Sequence, residues 1–152
     1  MIEKLQNKNL EVAKNIRTVF QASYAIEAKL LNAIDFPPLK RSLQSYITSD
    51  NDFFGYFKKH ELAGIVEIKH YYSFTHIQSL VVDPLFFRQG TAQELMEFVL
   101  NSYTVKPFIV ETGIKNLPAI KLYKKFNFNE IKQWDTDHGV RKVRLERKAI
   151  SH

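Results

Sequence analysis

The stretch LVVDPLFFRQGTA, residues 80–92, decides the fold of this chain. It begins as an apolar strand, passes through an Asp-Pro turn and opens a helix after Gly90. A helix N-terminus carries unpaired main-chain N–H groups and a partial positive charge, so it can hold an anion without a cationic side chain. Gly90 and Ala92 are small enough to let a phosphate approach. The stretch therefore predicts a strand, a phosphate-binding turn and a helix in succession.

Three more side chains of this turn, Arg88, Gln89 and Thr91, can add charge or hydrogen bonds around the same anion. Small residues at a helix start are also typical of close packing between a helix and a strand. The motif by itself leaves both interpretations open.

A second stretch, NLPAIKLYKKFNF at residues 116–128, predicts another helix. Asn116 is a typical N-cap residue, because its side-chain oxygen can accept a hydrogen bond from a main-chain N–H one turn further on. Asn127 suits the helix end, since asparagine tolerates the left-handed conformation found there. Tyr123 lies one turn before that end, where a tyrosine on an amphipathic helix is most often a core residue.

The other elements follow from hydrophobic periodicity, turn residues and runs of β-branched or aromatic residues. A strand, a helix and a strand in that order predict a right-handed crossover and parallel strands in the middle of the sheet. The sequence therefore predicts an α/β fold with a mixed sheet of six or seven strands, antiparallel at its start and flanked by helices. Helices are predicted over 8–33, 39–47, 90–102 and 116–126, and strands over 53–57, 62–68, 74–82, 107–111, 128–134 and 140–147.

The composition indicates a single domain over residues 1–152. The chain is 45% hydrophobic and 13% aromatic, which suffices for a sizeable core. No window approaches the ~20 apolar residues of a membrane span, and the N-terminus lacks the basic-then-apolar order of a signal peptide, so we expect a cytoplasmic protein without membrane contact. The chain has no cysteine, which excludes disulfides and acyl-cysteine intermediates.

The net charge and the positions of the histidines limit which other partners and metals we expect. Lys and Arg number 22 against 16 Asp and Glu, a net charge of +6, which favours nucleic acid, acidic surfaces or a polyphosphate cofactor and also serves solubility. No recognised nucleic-acid motif accompanies this charge, so we expect no nucleic-acid partner. The basic residues of 141–148 alternate with apolar ones as on a half-buried strand, and we expect them to face solvent. Scattered histidines predict no metal site: His60, His70, His76, His138 and His152.

The two stretches resemble the motifs of the GNAT superfamily of acetyl-CoA-dependent acyltransferases. The first family motif is Gln or Arg, two residues, Gly, one residue, then Gly or Ala; residues 87–92 match it with Phe87 in place of the polar first residue. The second is Asn, two residues, Ala, two residues, Leu-Tyr, three residues, then Gly-Phe; residues 116–128 match it with Asn127 in place of glycine. The resemblance covers residues 50–130, whereas residues 1–48, where such enzymes build the acceptor pocket, match only in general layout.

The resemblance implies central parallel strands that splay apart, so that an exposed strand edge holds the pantetheine arm of acetyl-CoA as an added strand would. It also implies that the hydroxyl of Tyr123 donates a proton to the departing thiolate and that Asn116 contacts the pantetheine arm in addition to its cap. The residues implied to bind the cosubstrate are Leu80, Val81, Val82, Phe87, Arg88, Gln89, Gly90, Thr91, Ala92, Asn116, Ala119 and Tyr123.

The base that takes the proton of the acceptor has two candidates. His76 lies six residues before Val82 in the same predicted strand, and its ordinary pKa of about 6.5 leaves it mostly neutral at pH 7. Glu67 lies within the strand over 62–68 and would project over the cleft. Both residues have structural alternatives, since His76 suits a strand start and Glu67 suits the solvent face.

The implied activity is an N-acetyltransferase that moves an acetyl group directly from acetyl-CoA to a primary amine of a small molecule or a peptide. A domain that binds acyl-CoA as a sensor without transferring it is the alternative, and Phe87 keeps it open. The sequence leaves the oligomeric state open, a homodimer included. Several aromatic and acidic residues could contact a cationic acceptor, and their alternative roles are core packing and helix-surface charge. They are Tyr24, Glu27, Asp35, Phe36, Tyr71 and Tyr72.

Overall fold

A computed structural model describes residues 1–149 of the chain. These residues form both helices and strands, as expected for an α/β fold. The elements are β1 (Ile2–Lys4), α1 (Leu10–Leu31), α2 (Leu43–Thr48), β2 (Asp52–Lys58), β3 (Glu61–His70), β4 (Thr75–Val82), α3 (Thr91–Ser102), β5 (Phe108–Gly113), α4 (Leu117–Lys125), β6 (Asn129–Asp135) and β7 (Arg141–Arg147).

The strands form one sheet in the order β1-β2-β3-β4-β5-β7-β6. Neighbouring strands run antiparallel except β4 and β5, which are parallel and connected through α3. This arrangement confirms the predicted mixed sheet, antiparallel at its start and parallel in the middle. The seventh strand is β1, which the sequence does not predict; it is short and pairs along β2, with Ile2 opposite Tyr56.

Different helices bury the two faces of the sheet. α3 and α4 cover one face, where Ile77 of β4 packs in a cluster with Leu95 of α3. α1 and α2 cover the other face, where Phe20 of α1 packs with Phe53 and Val81. The alternating direction of side chains along a strand lets one strand serve both cores. β4 therefore lies at the centre of the molecule with a helical layer on each side.

The parallel pairing of β4 and β5 is short. It begins at Thr75 opposite Phe108 and ends at Ile77 opposite Val110, although both strands run on beyond that pair. The two strands therefore diverge, as the resemblance implies. The edge of residues 78–82 that faces β5 has no partner strand in the part of the chain that the structure describes.

The short helix predicted over 39–47 is interrupted. A 3-10 turn at Pro37–Lys40 is followed by Arg41 in an extended conformation, and α2 begins only after Ser42. The N–H of Ser45 donates to Oγ of Ser42 at 3.2 Å, which is an N-cap that starts a new helix. The interruption frees Arg41 to point towards the sheet.

α4 ends in the C-terminal cap that its sequence predicts. Asn127 has a φ of 69°, in the left-handed region. The N–H of Phe128 donates to the carbonyl of Tyr123 at 3.1 Å, and the N–H of Asn127 donates to that of Lys124 at 3.0 Å. These two bonds form a Schellman motif. The chain thus leaves α4 directly into β6 and keeps Tyr123 in the last turns of the helix.

Candidate active site

A cavity of about 400 Å³ lies where β4 and β5 diverge. α1, the connection from α1 to α2, α4 and the turn between β6 and β7 contribute its other walls. The residues that the sequence singles out and that line this cavity are Tyr24, Glu27, Phe36, Leu80, Asn116, Ala119 and Tyr123. Part of the implied cosubstrate set and part of the predicted acceptor set therefore share one space.

A β-bulge shapes the β4 wall of the cavity. Glu67 lies opposite Ser79 and Ile68 lies opposite Ile77, so Gln78 is an extra residue without a partner on β3. A bulge of this kind bends its strand and re-aims the side chains beside it. Gln78 is exposed and lines the cavity, so the bulge lies where the strands part.

Tyr123 reaches the cavity from α4. Its side chain is buried and packs against the ring of Phe128 at a centroid distance of 5.8 Å. Burial raises the pKa of Tyr123, and the charge of Glu27 acts in the same direction. The hydroxyl therefore keeps its proton at neutral pH.

Asn116 links α4 to α1. Its Oδ1 accepts a hydrogen bond from the N–H of Ala119 at 3.3 Å, as an N-cap does. Its Nδ2 donates to Oε1 of Glu27 at 2.7 Å, and the hydroxyl of Thr112 donates to the same oxygen at 3.4 Å. Burial raises the pKa of Glu27, while these hydrogen bonds and the charge of Lys142 oppose the rise.

Glu67 does not line this cavity. The predicted exposure on the solvent face is wrong, because the side chain is 0% exposed, and the carboxylate does not reach the cavity surface as projection over the cleft would require. Arg41 donates to both carboxylate oxygens, from Nη1 to Oε1 at 2.8 Å and from Nη2 to Oε2 at 3.0 Å. Asn51 adds a third hydrogen bond at 2.8 Å. Glu67 is thus the buried half of an ion pair whose other half, Arg41, lines the cavity.

His76 is half-buried beside the aromatic residues of the β3–β4 turn. Its ring centroid lies 6.2 Å from that of Tyr71 and 6.5 Å from that of Phe74. Burial lowers the pKa of His76; Glu111 opposes this and Arg144 reinforces it. The imidazole is therefore neutral at pH 7, as predicted, but it does not belong to the cavity wall.

The predicted phosphate-binding turn follows the end of β4. Gly90 is the N-cap of α3 with a φ of 78°, and Arg88 also has a left-handed φ of 62°. Within residues 1–149, the main-chain N–H groups of Arg88, Gln89 and Gly90 donate to no main-chain carbonyl. The hydroxyl of Thr91 is buried and has no hydrogen-bond partner.

Two more residues of the implied cosubstrate set lie in or near this turn. Phe87 is 41% exposed, and Lys58 of β2 donates a hydrogen bond to the side chain of Gln89. Of the strand residues, Val82 pairs with Gly64 of β3, while Val81 packs under α1. The buried Val81 therefore offers only its main chain to a ligand on the free edge, whereas the side chain of Val82 is half-buried.

Three of the predicted acceptor residues lie outside the cavity wall. Tyr72 is 98% exposed, and Tyr71 stacks on Phe74 with ring centroids 4.5 Å apart. Asp35 is exposed and pairs with Lys40 at 3.7 Å, in a groove beside the cavity. Each of the three lies in a turn, where sequence periodicity gives no direction, and their contact with an acceptor stays a prediction.

Charged residues that the sequence reasoning missed also line the cavity. The expectation that the basic residues of β7 face solvent was wrong for two of them, because β7 lies inside the sheet between β5 and β6. Lys142 lines the cavity, and Nη1 of Arg144 lies 3.6 Å from Oε2 of Glu111. The signal that could have found them is their place in a strand next to β5. The missed charged or titratable residues of the wall are Arg41, Glu111, His138 and Lys142.

The family of the chain follows from comparison with known proteins. The family model of the acetyltransferase (GNAT) domain matches residues 28–149. The chain belongs to the GNAT acetyltransferase family. The matched range includes the splayed parallel pair, the turn at Gly90 and Tyr123.

Two relatives and one solved structure give the range of similarity. The chain is 30% identical over 141 residues to "UPF0157 protein YqkA" of Bacillus subtilis, covering 92% of this chain and 41% of that protein. It is 32% identical over 103 residues to an N-alpha-acetyltransferase of Sulfolobus acidocaldarius, covering 62% of this chain and 61% of that protein. The chain therefore spans less than two thirds of the length of either relative.

The PaiA N-acetyltransferase of Thermoplasma acidophilum, solved in complex with coenzyme A, has the same fold. Its TM-score to this chain is 0.71 at 17% identity, over 97% of this chain and 99% of that one. Over residues 1–149, no helix is long and apolar enough to cross a membrane. The described residues also contain no group of three metal-binding side chains, and His152 lies outside them.

Proposed function

We propose that this chain transfers an acetyl group from acetyl-CoA directly to a primary amine of a small molecule or a peptide. The observation that carries the proposal is the position of Tyr123, whose buried side chain lines the cavity at the divergence of β4 and β5. Membership of the GNAT family supports the choice of acetyl-CoA as cosubstrate.

The residues present fit acetyl-CoA at two places. At the turn, three main-chain N–H groups without a carbonyl partner and the unpartnered hydroxyl of Thr91 are donors suited to a diphosphate. At the divergence, the free edge of residues 78–82 is suited to the amides of the pantetheine arm, as in strand addition. When bound, acetyl-CoA supplies the activated acyl group and a thiol leaving group.

Tyr123 is the proposed proton donor. A hydroxyl whose pKa is raised by burial is protonated at neutral pH, so it can donate to a departing thiolate as that charge develops. Asn116 caps the same helix and is the proposed contact for the pantetheine arm. Its Nδ2 donates to Glu27 and its Oδ1 accepts from Ala119, so that contact would use the second lone pair of Oδ1 or require the amide to exchange partners.

The two bases predicted from the sequence differ in their support. Glu67 has both oxygens engaged by Arg41, which makes proton transfer from the cavity unfavourable without breaking that pair. His76 is neutral and half-buried, and it would act through water because it does not line the cavity. Of these two residues, His76 is the better supported as a base.

The acceptor class is the finer part of the proposal. The Sulfolobus acidocaldarius relative is named an N-alpha-acetyltransferase, which supports a peptide amine. A groove of about 470 Å³ shares Pro37, Arg41 and His138 with the cavity, so an acceptor longer than one residue has a path out of it. A cytoplasmic location and a homodimer stay predictions.

The test is a panel of primary amines offered with acetyl-CoA to the purified chain. The panel contains a dipeptide amide, a diamine and an amino sugar. With at least one of them we expect free coenzyme A thiol to be released from acetyl-CoA and the acetylated amine to be detected by mass spectrometry. Binding of acetyl-CoA without acetylation of any amine would favour the sensor alternative. Absence of acetyl-CoA binding by calorimetry would contradict both functions.

A further inference from the structure

Glu27 has one oxygen engaged and one free. Both hydrogen bonds that it accepts, from Asn116 at 2.7 Å and from Thr112 at 3.4 Å, go to Oε1. Oε2 has no partner among the described residues. The carboxylate belongs to the cavity wall, and the fixed Oε1 holds it in place from two elements, α4 and β5. The arrangement therefore presents one immobilised, unpaired oxygen next to the cavity.

The charges around the cavity distinguish Glu27 from the neighbouring carboxylates. Arg41 neutralises Glu67 at 2.8 Å, and Arg144 lies 3.6 Å from Glu111. Within residues 1–149, Glu27 forms no ion pair, and its hydrogen-bond donors are neutral. A poorly solvated carboxylate without a counter-ion is costly, so a cation that enters the cavity gains more from Glu27 than from the other two.

Aromatic and titratable groups complete the surroundings of Glu27. Tyr24, one turn earlier on α1, donates from its hydroxyl to Ser79 at 3.1 Å, and its ring lies 5.9 Å from that of Phe36. Both rings line the cavity and can contact an alkylammonium group. The titratable groups that act on Glu27 from other elements are Tyr123 of α4 and Lys142 of β7.

We propose that Glu27 binds the amino group of the acceptor through Oε2 and accepts its proton as the new amide forms. This inference rests on the proposed function. The acceptor enters as an ammonium ion paired with Oε2 and loses one proton to solvent, which leaves a neutral amine hydrogen-bonded to Oε2. The amine nitrogen then forms its bond to the acetyl carbon while one N–H bond breaks, and that proton goes to Oε2. The bond from the carbonyl carbon to sulfur breaks, and the thiolate takes the proton of Tyr123. The proton held by Glu27 then returns through solvent to the tyrosinate, so charge and protons balance over the cycle. In this arrangement His76 is not required as the base.

Glu27→Gln separates this role from a structural one. Glutamine keeps an oxygen that can accept from Asn116 and Thr112, so the link between α1 and α4 is preserved. It can neither pair with an ammonium group nor take its proton. Glu11→Gln is the matched control, because Glu11 lies on the same helix and is exposed, 3.5 Å from Lys14.

The experiment measures binding and turnover for the wild type and both variants. Each of three amines, 1,4-diaminobutane, glucosamine and alaninamide, is titrated into the protein in the presence of coenzyme A, and calorimetry gives its affinity. Turnover of the same amines is measured with acetyl-CoA. For Glu27→Gln we expect amine affinity to fall at least tenfold and kcat to fall about 100-fold, with coenzyme A affinity and thermal stability unchanged. Glu11→Gln should match the wild type in every measurement.

The outcomes separate this inference from the proposed function. Wild-type amine affinity in Glu27→Gln would overturn the inference, as would a parallel loss of coenzyme A affinity or stability, which would indicate a structural role. Failure of the wild type to bind any of the three amines would also overturn it. If the wild type binds an amine without acetylating it and Glu27→Gln loses that binding, the amine site stands and the transferase proposal fails.

Discussion

Asn116 uses the two ends of one amide to join two helices. Its oxygen accepts from the N–H of Ala119 within α4, and its nitrogen donates to Oε1 of Glu27 on α1, 89 residues away in the chain. An aspartate would satisfy the first contact and oppose the second. Because α4 also carries Tyr123, this amide sets the spacing between the buried hydroxyl and the carboxylate across the cavity.

Asn116→Asp should therefore make stability depend on pH. Burial already raises the pKa of Glu27, and a second carboxylate in place of the donor raises it further. A carboxyl whose pKa is higher in the folded state than in the unfolded state loses stabilisation as pH rises through the folded value. We expect the deficit in the free energy of unfolding, measured by urea denaturation, to be larger at pH 8 than at pH 5.

Asn116→Ser is the control for that measurement. Serine keeps an N-cap oxygen but adds no charge, so its deficit should change less between the two pH values. An equal deficit for Asn116→Asp at pH 5 and pH 8 would show that the two carboxyl groups do not interact.

Tyr123→Phe tests the proton donor. The ring of the variant keeps its packing on Phe128, so the fold and acetyl-CoA binding should be retained. Loss of a general acid lowers turnover by about 10²-fold, and we expect kcat to fall by that order with the Kd of acetyl-CoA within about twofold of the wild type. Turnover like that of the wild type would remove Tyr123 from the mechanism.

Gly90→Ala tests the phosphate-binding turn against a matched glycine. Gly90 and Gly139 both have positive φ, 78° and 80°, so alanine at either position costs about 1 kcal/mol or more of backbone strain. Only Gly90 begins α3. We expect both variants to lose stability by a similar amount and only Gly90→Ala to weaken acetyl-CoA binding, by about tenfold in calorimetry. Equal affinity in the two variants would contradict the turn as a diphosphate site.

Local hydrogen-bond chemistry could be predicted from the sequence because its partners are close in the chain. Asn116 caps α4 and Asn127 adopts the left-handed conformation, as their residue types indicate. The order of strands and helices was also predicted, since periodicity within a short window determines it. The strand β1 was missed because three residues are too few to show a period.

The directions of side chains in the centre of the sheet could not be predicted. Ile77 and Leu80 pack in the same core although they are three positions apart in β4, because the bulge at Gln78 inverts the alternation of the strand. Strict alternation counted back from Val82 would place His76 on the same face of the sheet as Leu80, whereas the bulge places it on the opposite face. No pattern in the sequence marks the bulge, which depends on pairing with β3.

The burial and ion pairing of Glu67 could not be predicted, because they depend on contacts between segments that are distant in the chain. Its partner Arg41 is 26 residues away and reaches it only because the chain is extended between Lys40 and α2. A glutamate in a strand is usually on the solvent face, so no pattern in the sequence indicates a buried ion pair. Ion pairs of this kind depend on tertiary packing, which periodicity does not encode.

The pair of Glu67 and Arg41 provides a last prediction, on stability. Glu67→Leu alone leaves the guanidinium of Arg41, which lies 4.1 Å from the ring centroid of Tyr46, without its counter-ion. Breaking a buried pair in this way costs about 3 kcal/mol, whereas replacing both partners by apolar residues is often nearly neutral. We therefore expect Glu67→Leu to lower the free energy of unfolding by about 3 kcal/mol, and Arg41→Met in the same chain to restore most of it.

The exposed pair of Glu11 and Lys14 is the control, since its removal should change stability by less than about 0.5 kcal/mol. Additive losses in the double variant would mean that Glu67 is stabilised mainly by Asn51 and the surrounding core, and that Arg41 serves the cavity rather than the fold.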